Sequence, residues 1–171
     1  IKVSFNPALN KIKANSLAAR LACMETGVSE DDFYKAVSSF HGASNRLEKI
    51  CETPSSVAFK DFAHSPSKLK ATVDAVRLQY PDKHLVACME LHTFSSLDAR
   101  FLPQYKDTMS RADTAFVYFN PTVIEHKRLQ ALSAEDVRQA FGTPNVSVFT
   151  DSLELQKALR KLNYSNTALL M

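Results

Sequence analysis

The chain has 171 residues, 45% of them hydrophobic and 23% charged, enough for one buried core and part of another. Its 21 Lys and Arg exceed its 18 Asp and Glu by only three and are scattered singly or in pairs, which excludes the basic stripe of a nucleic-acid binder. No apolar run approaches the roughly eighteen residues of a membrane span, and Ile1-Lys2-Val3-Ser4-Phe5 lacks the n-region and h-region of a signal peptide.

Three cysteines, Cys23, Cys51 and Cys88, are odd in number and have no C-x-x-C spacing; Cys88 sits in the apolar stretch Leu85 to Met89. Such thiols serve as small core side chains in a reducing compartment, and a cytoplasmic location is expected. The opening at Ile1 reads as an excised piece of a longer protein.

In chain order, Leu17, Ala18, Leu21 and Ala22 recur at helical spacing, and Gly27 supplies a stop, predicting a helix over 15–24. Ser29 offers an N-cap, with Glu30, Asp31 and Asp32 in the first turn of a second helix that ends near His41-Gly42. Short strands follow at 47–51 and 56–62, separated by the turn signal Glu52-Thr53-Pro54-Ser55. A domain boundary is placed at 42–46, giving a helical fragment at 1–42 and a domain at 43–171. Ser65-Pro66 opens a helix to about Tyr80, and 84–90 is a continuous apolar strand. A helix at 103–111, a strand at 114–119, a helix at 134–141, a strand at 146–149, a helix at 152–162 and a strand at 168–171 complete the series. The alternation predicts an α/β fold with a mostly parallel sheet and helices on both faces.

In such sheets ligands lie beyond the carboxyl ends of the strands. Two segments there are polar: Asp61-Phe62-Ala63-His64-Ser65-Pro66-Ser67-Lys68, which leads from strand to helix, and Glu90-Leu91-His92-Thr93-Phe94-Ser95-Ser96. An acid at the first can accept from ribose hydroxyls, and the helix N-terminus offers N–H groups to an anion. The plainer alternatives are helix capping by Asp61 and Ser65 and ordinary loop roles for His64 and His92. No H-E-x-x-H spacing suggests a metal site, and no G-x-S-x-G elbow exposes Ser95 or Ser96 as a nucleophile.

Phe40-His41-Gly42-Ala43-Ser44-Asn45-Arg46-Leu47-Glu48, followed by Asp61-Phe62-Ala63-His64-Ser65-Pro66, resembles the Mur ligase pair of motifs F-x-G-x-x-x-R-x-E and D-(Y/F)-(A/G)-H-x-P. The resemblance covers essentially the whole chain. It implies that 1–42 is the end of a central ATPase domain and 43–171 a Rossmann-like C-terminal domain truncated at its C-terminus. The activity implied is ATP-dependent amide-bond formation through an acyl phosphate, with ATP and Mg2+ as cofactors. Within the family the motifs most resemble the branch that joins L-alanyl-γ-D-glutamyl-meso-diaminopimelate to UDP-N-acetylmuramate; the neighbouring branch takes L-alanine instead.

The resemblance further implies ATP contacts at Arg46, Asp61, Asn15, His64, Ser67 and Lys68, and acceptor contacts at His92, Thr93, Ser95 and Ser96. Of the family's H-N-x-x-N stretch only Asn15 is present. No catalytic residue is assigned to this stretch of chain, because a G-x-x-x-x-G-K-[ST] loop is absent from it and it is expected to be inactive alone. A rival of another class is a non-catalytic nucleotide-binding α/β module that shares the motif pair.

Overall fold

In a computed structural model, residues 10–39 and 46–171 are described, with side chains from Ser16 onward in the first stretch. The chain divides into two compact units, Ile1–Ser44 and Asn45–Met171. The expected contact at Asn15 and most of the linker motif, residues 40–45, fall outside the described side chains.

The first unit holds helices α1 (Asn10–Glu25) and α2 (Glu30–Ser38). Gly27, at φ 89, makes the turn between them, a conformation open to glycine without a Cβ penalty. The Ser29 hydroxyl caps α2 by accepting from the Asp32 amide at 3.1 Å. Phe33 is buried against this pair, and Arg20 bridges the helices through Glu30 at 2.5 Å and the Tyr34 hydroxyl at 3.3 Å.

The second unit is a six-stranded sheet in the order β1-β2-β6-β3-β4-β5. Its strands are β1 (Glu48–Glu52), β2 (Val57–Lys60), β3 (His84–Leu91), β4 (Thr114–Phe119), β5 (Val146–Phe149) and β6 (Thr167–Leu170). Only β1 runs antiparallel to its neighbour, so five strands bring their carboxyl ends to one edge. The connecting helices are α3 (Pro66–Gln79), α4 (Pro121–His126), α5 (Ala134–Phe141) and α6 (Ser152–Arg160).

One face of the sheet carries the main core: Val57 and Phe59, Ala168 and Leu170, Leu85, Ala87 and Met89, and Ala115, Val117 and Phe119 are buried in register. Leu69, Val73 and Val76 of α3 and Val137 and Phe141 of α5 close onto it. α6 packs on β4 and β5 and buries no residue fully. The α/β expectation with a mostly parallel, helix-flanked sheet therefore holds.

Two local predictions are corrected. The helix expected at 103–111 is a single 3-10 turn, Leu102–Tyr105, followed by turns, because Asp107 adopts φ 60 and donates its amide to Phe141 at 3.0 Å. α4 was not anticipated; at six residues it is too short to show a periodicity, although Asn120 caps it and Pro121 opens it. No described helix is long and apolar enough to cross a membrane.

Asp113 ties the amino ends of β3 and β4 to α3. Its carboxylate accepts from the Leu85 amide at 2.7 Å and pairs with Arg77 at 2.5 Å, with His84 at 3.9 Å. Partial burial acts to raise its pKa, but the Leu85 amide, Arg77 and His84 together hold it below the usual carboxylate value. A depressed folded pKa means stability present above the unfolded value of about 4 and lost as pH falls through the folded one. The stability gap between the native chain and Asp113→Asn should therefore be constant above about pH 5 and shrink below about pH 4 in urea titrations. A gap independent of pH would contradict this role.

Candidate functional site

β2 ends at Lys60, and the next residue, Asp61, continues its pairing with the end of β6: the Asp61 amide donates to the Met171 carbonyl at 2.7 Å, and the Met171 amide to Phe59 at 3.0 Å. The chain then loops through Phe62 and His64 into α3. The Ser65 side chain makes no capping bond, and Pro66 occupies the first turn. Asp61 is no helix cap either. Its Oδ1 accepts from the Leu47 amide at 3.1 Å and its Oδ2 from the Thr72 hydroxyl at 2.6 Å.

The carboxyl ends of β2, β6 and β3 and the start of α3 enclose a cavity of about 390 Å³. Asp61 and Thr72 stand on one wall and His92 on another, with Ile50 and Met171 at its apolar margin. The Phe62 ring, 48% exposed, lies between two imidazoles, its centroid 5.0 Å from His64 and 5.8 Å from His92. The loop is held from beneath by the buried Tyr105, whose hydroxyl donates to the His64 carbonyl at 3.1 Å. Cys88 also faces the cavity, and burial pushes its thiol up to about 12, which keeps it protonated and unreactive.

Asp61, His64 and His92 thus meet in one cleft. Arg46 is exposed immediately before Leu47, whose amide is bound to Asp61, but it is not part of the cavity wall. Ser67 is exposed in the first turn of α3, and Lys68 is half-buried beside it; neither lines the cavity. Thr93, Ser95 and Ser96 form a tight turn after β3. The Ser96 hydroxyl, 1% exposed, accepts from the Thr93 amide at 3.0 Å, and the Thr93 hydroxyl accepts from the Ser96 amide at 3.1 Å, so both brace the loop. Ser95 is exposed at its tip.

Sequence reasoning missed Thr72, Phe62, Ile50 and Met171. Thr72 was accessible in principle, since it lies with Leu69, Val73 and Val76 on the stripe of α3 that faces the sheet. Among the described residues, no three His, Cys, Asp or Glu side chains converge to hold a metal ion.

No protein-family model matches the chain. A UDP-N-acetylmuramate–L-alanine ligase of Desulfitobacterium hafniense is 26% identical over 141 residues, 82% of this chain and 31% of that protein. One from Limosilactobacillus reuteri is 33% identical over 103 residues, 60% of this chain and 23% of that protein. The chain therefore spans less than a third of these relatives' length.

Among solved structures, the UDP-N-acetylmuramate–alanine ligase of Thermotoga maritima superimposes with a TM-score of 0.70 over 94% of this chain and 34% of its own, at 16% identity. A murein peptide ligase from Psychrobacter arcticus gives 0.64 over 92% and 32%, at 22% identity. A folylpolyglutamate synthase of Mycobacterium tuberculosis, complexed with ADP, gives 0.51 over 84% and 32%, at 17% identity.

The sheet and its flanking helices are those of the Rossmann-like C-terminal domain found in these ligases. The relatives and the fold together support assignment to the Mur ligase family at the level of that domain.

Proposed function

We propose that residues 43–171 are the C-terminal domain, and residues 1–42 the end of the central ATPase domain, of a cytoplasmic ATP-dependent ligase that joins an amino acid or peptide to UDP-N-acetylmuramate. ATP supplies the activation, phosphorylating the substrate carboxylate; the acceptor amine then attacks the carbonyl carbon and phosphate leaves. The chain contributes one wall of that site and binds and orients rather than reacts.

The observation that carries the reading is Asp61. An ionised carboxylate offers roughly four lone-pair positions, and the Leu47 amide and the Thr72 hydroxyl occupy one on each oxygen. A second position on each oxygen remains for the vicinal hydroxyls of a ribose. The exposed faces of Phe62 and Ile50 give a base apolar surface beside them. These features fit a nucleoside, and one structural neighbour holds ADP. Arg46, held next to Asp61 by the Leu47 bond, is long enough to reach phosphates, and the first turn of α3 at Ser67 and Lys68 presents amides that Ser65 leaves uncapped. The ligase reading includes Mg2+ as well as ATP; among the described residues no three His, Cys, Asp or Glu side chains converge to hold it.

For the acceptor, the motif pair favours L-alanyl-γ-D-glutamyl-meso-diaminopimelate; an alanine ligase and a murein peptide ligase share the fold alike. The second reading is L-alanine, which rests on the names of the curated relatives. Titration of the chain with ADP, followed by backbone amide shifts, tests the nucleotide reading. Changes concentrated at residues 61–64, 72 and 90–92 are expected. Binding that leaves these residues unmoved, or no binding at millimolar ADP, rejects it.

A further inference from the structure

One buried side chain ties the helical layer over the sheet to the nucleotide loop. The 3-10 turn Leu102–Tyr105 carries Pro103 in its first turn, and the Tyr105 carbonyl that closes it accepts from the Thr108 amide at 3.1 Å and from the buried Thr108 hydroxyl at 2.7 Å. The Tyr105 ring is fully buried between two others: it stacks on Phe141 and meets Phe101 edge-on, with centroids 6.1 Å apart and planes at 73°. Backbone and ring are both fixed, so the hydroxyl has one place to stand. That place is beneath His64, 41 residues earlier in the chain.

The loop has little else to hold it. Asp61 anchors one end through the bond of its amide to Met171, and Ser65 anchors the other, where its carbonyl accepts from the Leu69 amide at 2.9 Å at the head of α3. Between them the bonds are internal: the Phe62 carbonyl accepts from the His64 amide at 3.1 Å and lies 3.2 Å from the His64 Nδ1. Among the described residues, the Tyr105 hydroxyl makes the one hydrogen bond that reaches residues 62–65 from outside the loop and α3. Burial pushes this hydroxyl up to about 12, so it stays protonated and able to donate across the neutral range. The direction of the His64 carbonyl sets that of its imidazole and, through the internal bonds, of the Phe62 ring beside it.

We propose that Tyr105 is a positioning residue for the nucleotide, its hydroxyl holding the His64 carbonyl so that Asp61 and the Phe62 ring face the cleft together. The role at the nucleotide rests on the ligase reading above; the hold on the loop does not. Tyr105 does not line the cavity, so it acts through His64 and has no contact of its own to lose. A loop free to leave this arrangement must be ordered by the ligand, and apparent affinity falls with the fraction of molecules in the competent arrangement.

The test compares the native chain with Tyr105→Phe and Thr108→Val. Tyr105→Phe keeps the ring and its stack and removes the tether; Thr108→Val breaks the buried hydroxyl bond of the same turn and leaves the tether in place. Without nucleotide, Tyr105→Phe should shift the His64 and Phe62 ring signals in NMR spectra and speed amide exchange at 62–65, with exchange in α5 unchanged. ADP should bind it about 3- to 10-fold more weakly, the effect of one neutral hydrogen bond. Thr108→Val should lower the urea midpoint and change neither the His64 signals nor the ADP affinity. The proposal is overturned if Tyr105→Phe keeps the native loop signals, if it binds ADP as the native chain does, or if Thr108→Val weakens ADP as much, which would make the effect one of stability. A native chain that binds no ADP overturns the ligase reading and the positioning role with it, whereas native binding left intact by Tyr105→Phe overturns the positioning role alone.

Discussion

Phe141→Ala is expected to destabilise the second unit by about 3–5 kcal/mol, lowering Tm by roughly 10 °C or more. Phe141 is fully buried at the end of α5 and stacks on Tyr105, with centroids 5.1 Å apart and planes 18° from parallel. Its carbonyl accepts from Asp107, and the following Gly142, at φ 68, ends the helix in the left-handed conformation. Removing the ring leaves a cavity that this constrained turn cannot collapse into, which places the cost in the upper part of the large-to-small range. Because Tyr105 in turn holds the His64 carbonyl, the loss should also loosen the Asp61–His64 loop and speed amide exchange there. Leu153→Ala on α6, where the side chain is 61% exposed, should change stability by no more than about 0.5 kcal/mol and serves as the control. A Phe141→Ala protein within about 1 kcal/mol of the native one in urea unfolding, a third of the expected cost or less, would show that this stack is not a centre of the core.

Asp61→Ala is expected to weaken ADP binding roughly 10- to 100-fold, the effect of losing a hydrogen bond to an ionised acceptor. The change also strips the partner from the Leu47 amide and one partner from the Thr72 hydroxyl, so some stability goes with it. Thr72→Val separates the two effects, since it removes the hydroxyl but leaves both carboxylate oxygens in place. Loss of ADP affinity in Asp61→Ala but not in Thr72→Val would assign the carboxylate to the nucleotide. Equal ADP affinity in all three proteins, read by calorimetry, would reduce Asp61 to a brace for the chain at Leu47.

Much of this fold was legible because its parallel strands are apolar runs bounded by capping residues. Leu85 to Met89 and Ala115 to Phe119 are apolar runs of strand length, and the helices expected at 134–141 and 152–162 are α5 and α6. The boundaries failed where a backbone angle decided them: Asp107 at φ 60 cut short a helix its neighbours would have formed, and Leu47 at φ 46 delayed β1 to Glu48. Asp61, His64 and His92, which line one cavity, drew attention in the sequence by their place after strands. Thr72, Ile50 and Met171 were not, since they reach the cleft from a helix face, an edge strand and the end of the last strand, and only tertiary pairing brings these together.

The strand order has a consequence for synthesis on the ribosome. Thr167–Leu170, made after the other five strands described, is inserted between β2 and β3, and without it these strands form two separate ribbons. A nascent chain halted short of Thr167 carries two unpaired strand edges, one of them the apolar β3, and is open to pairing with other nascent chains until translation resumes.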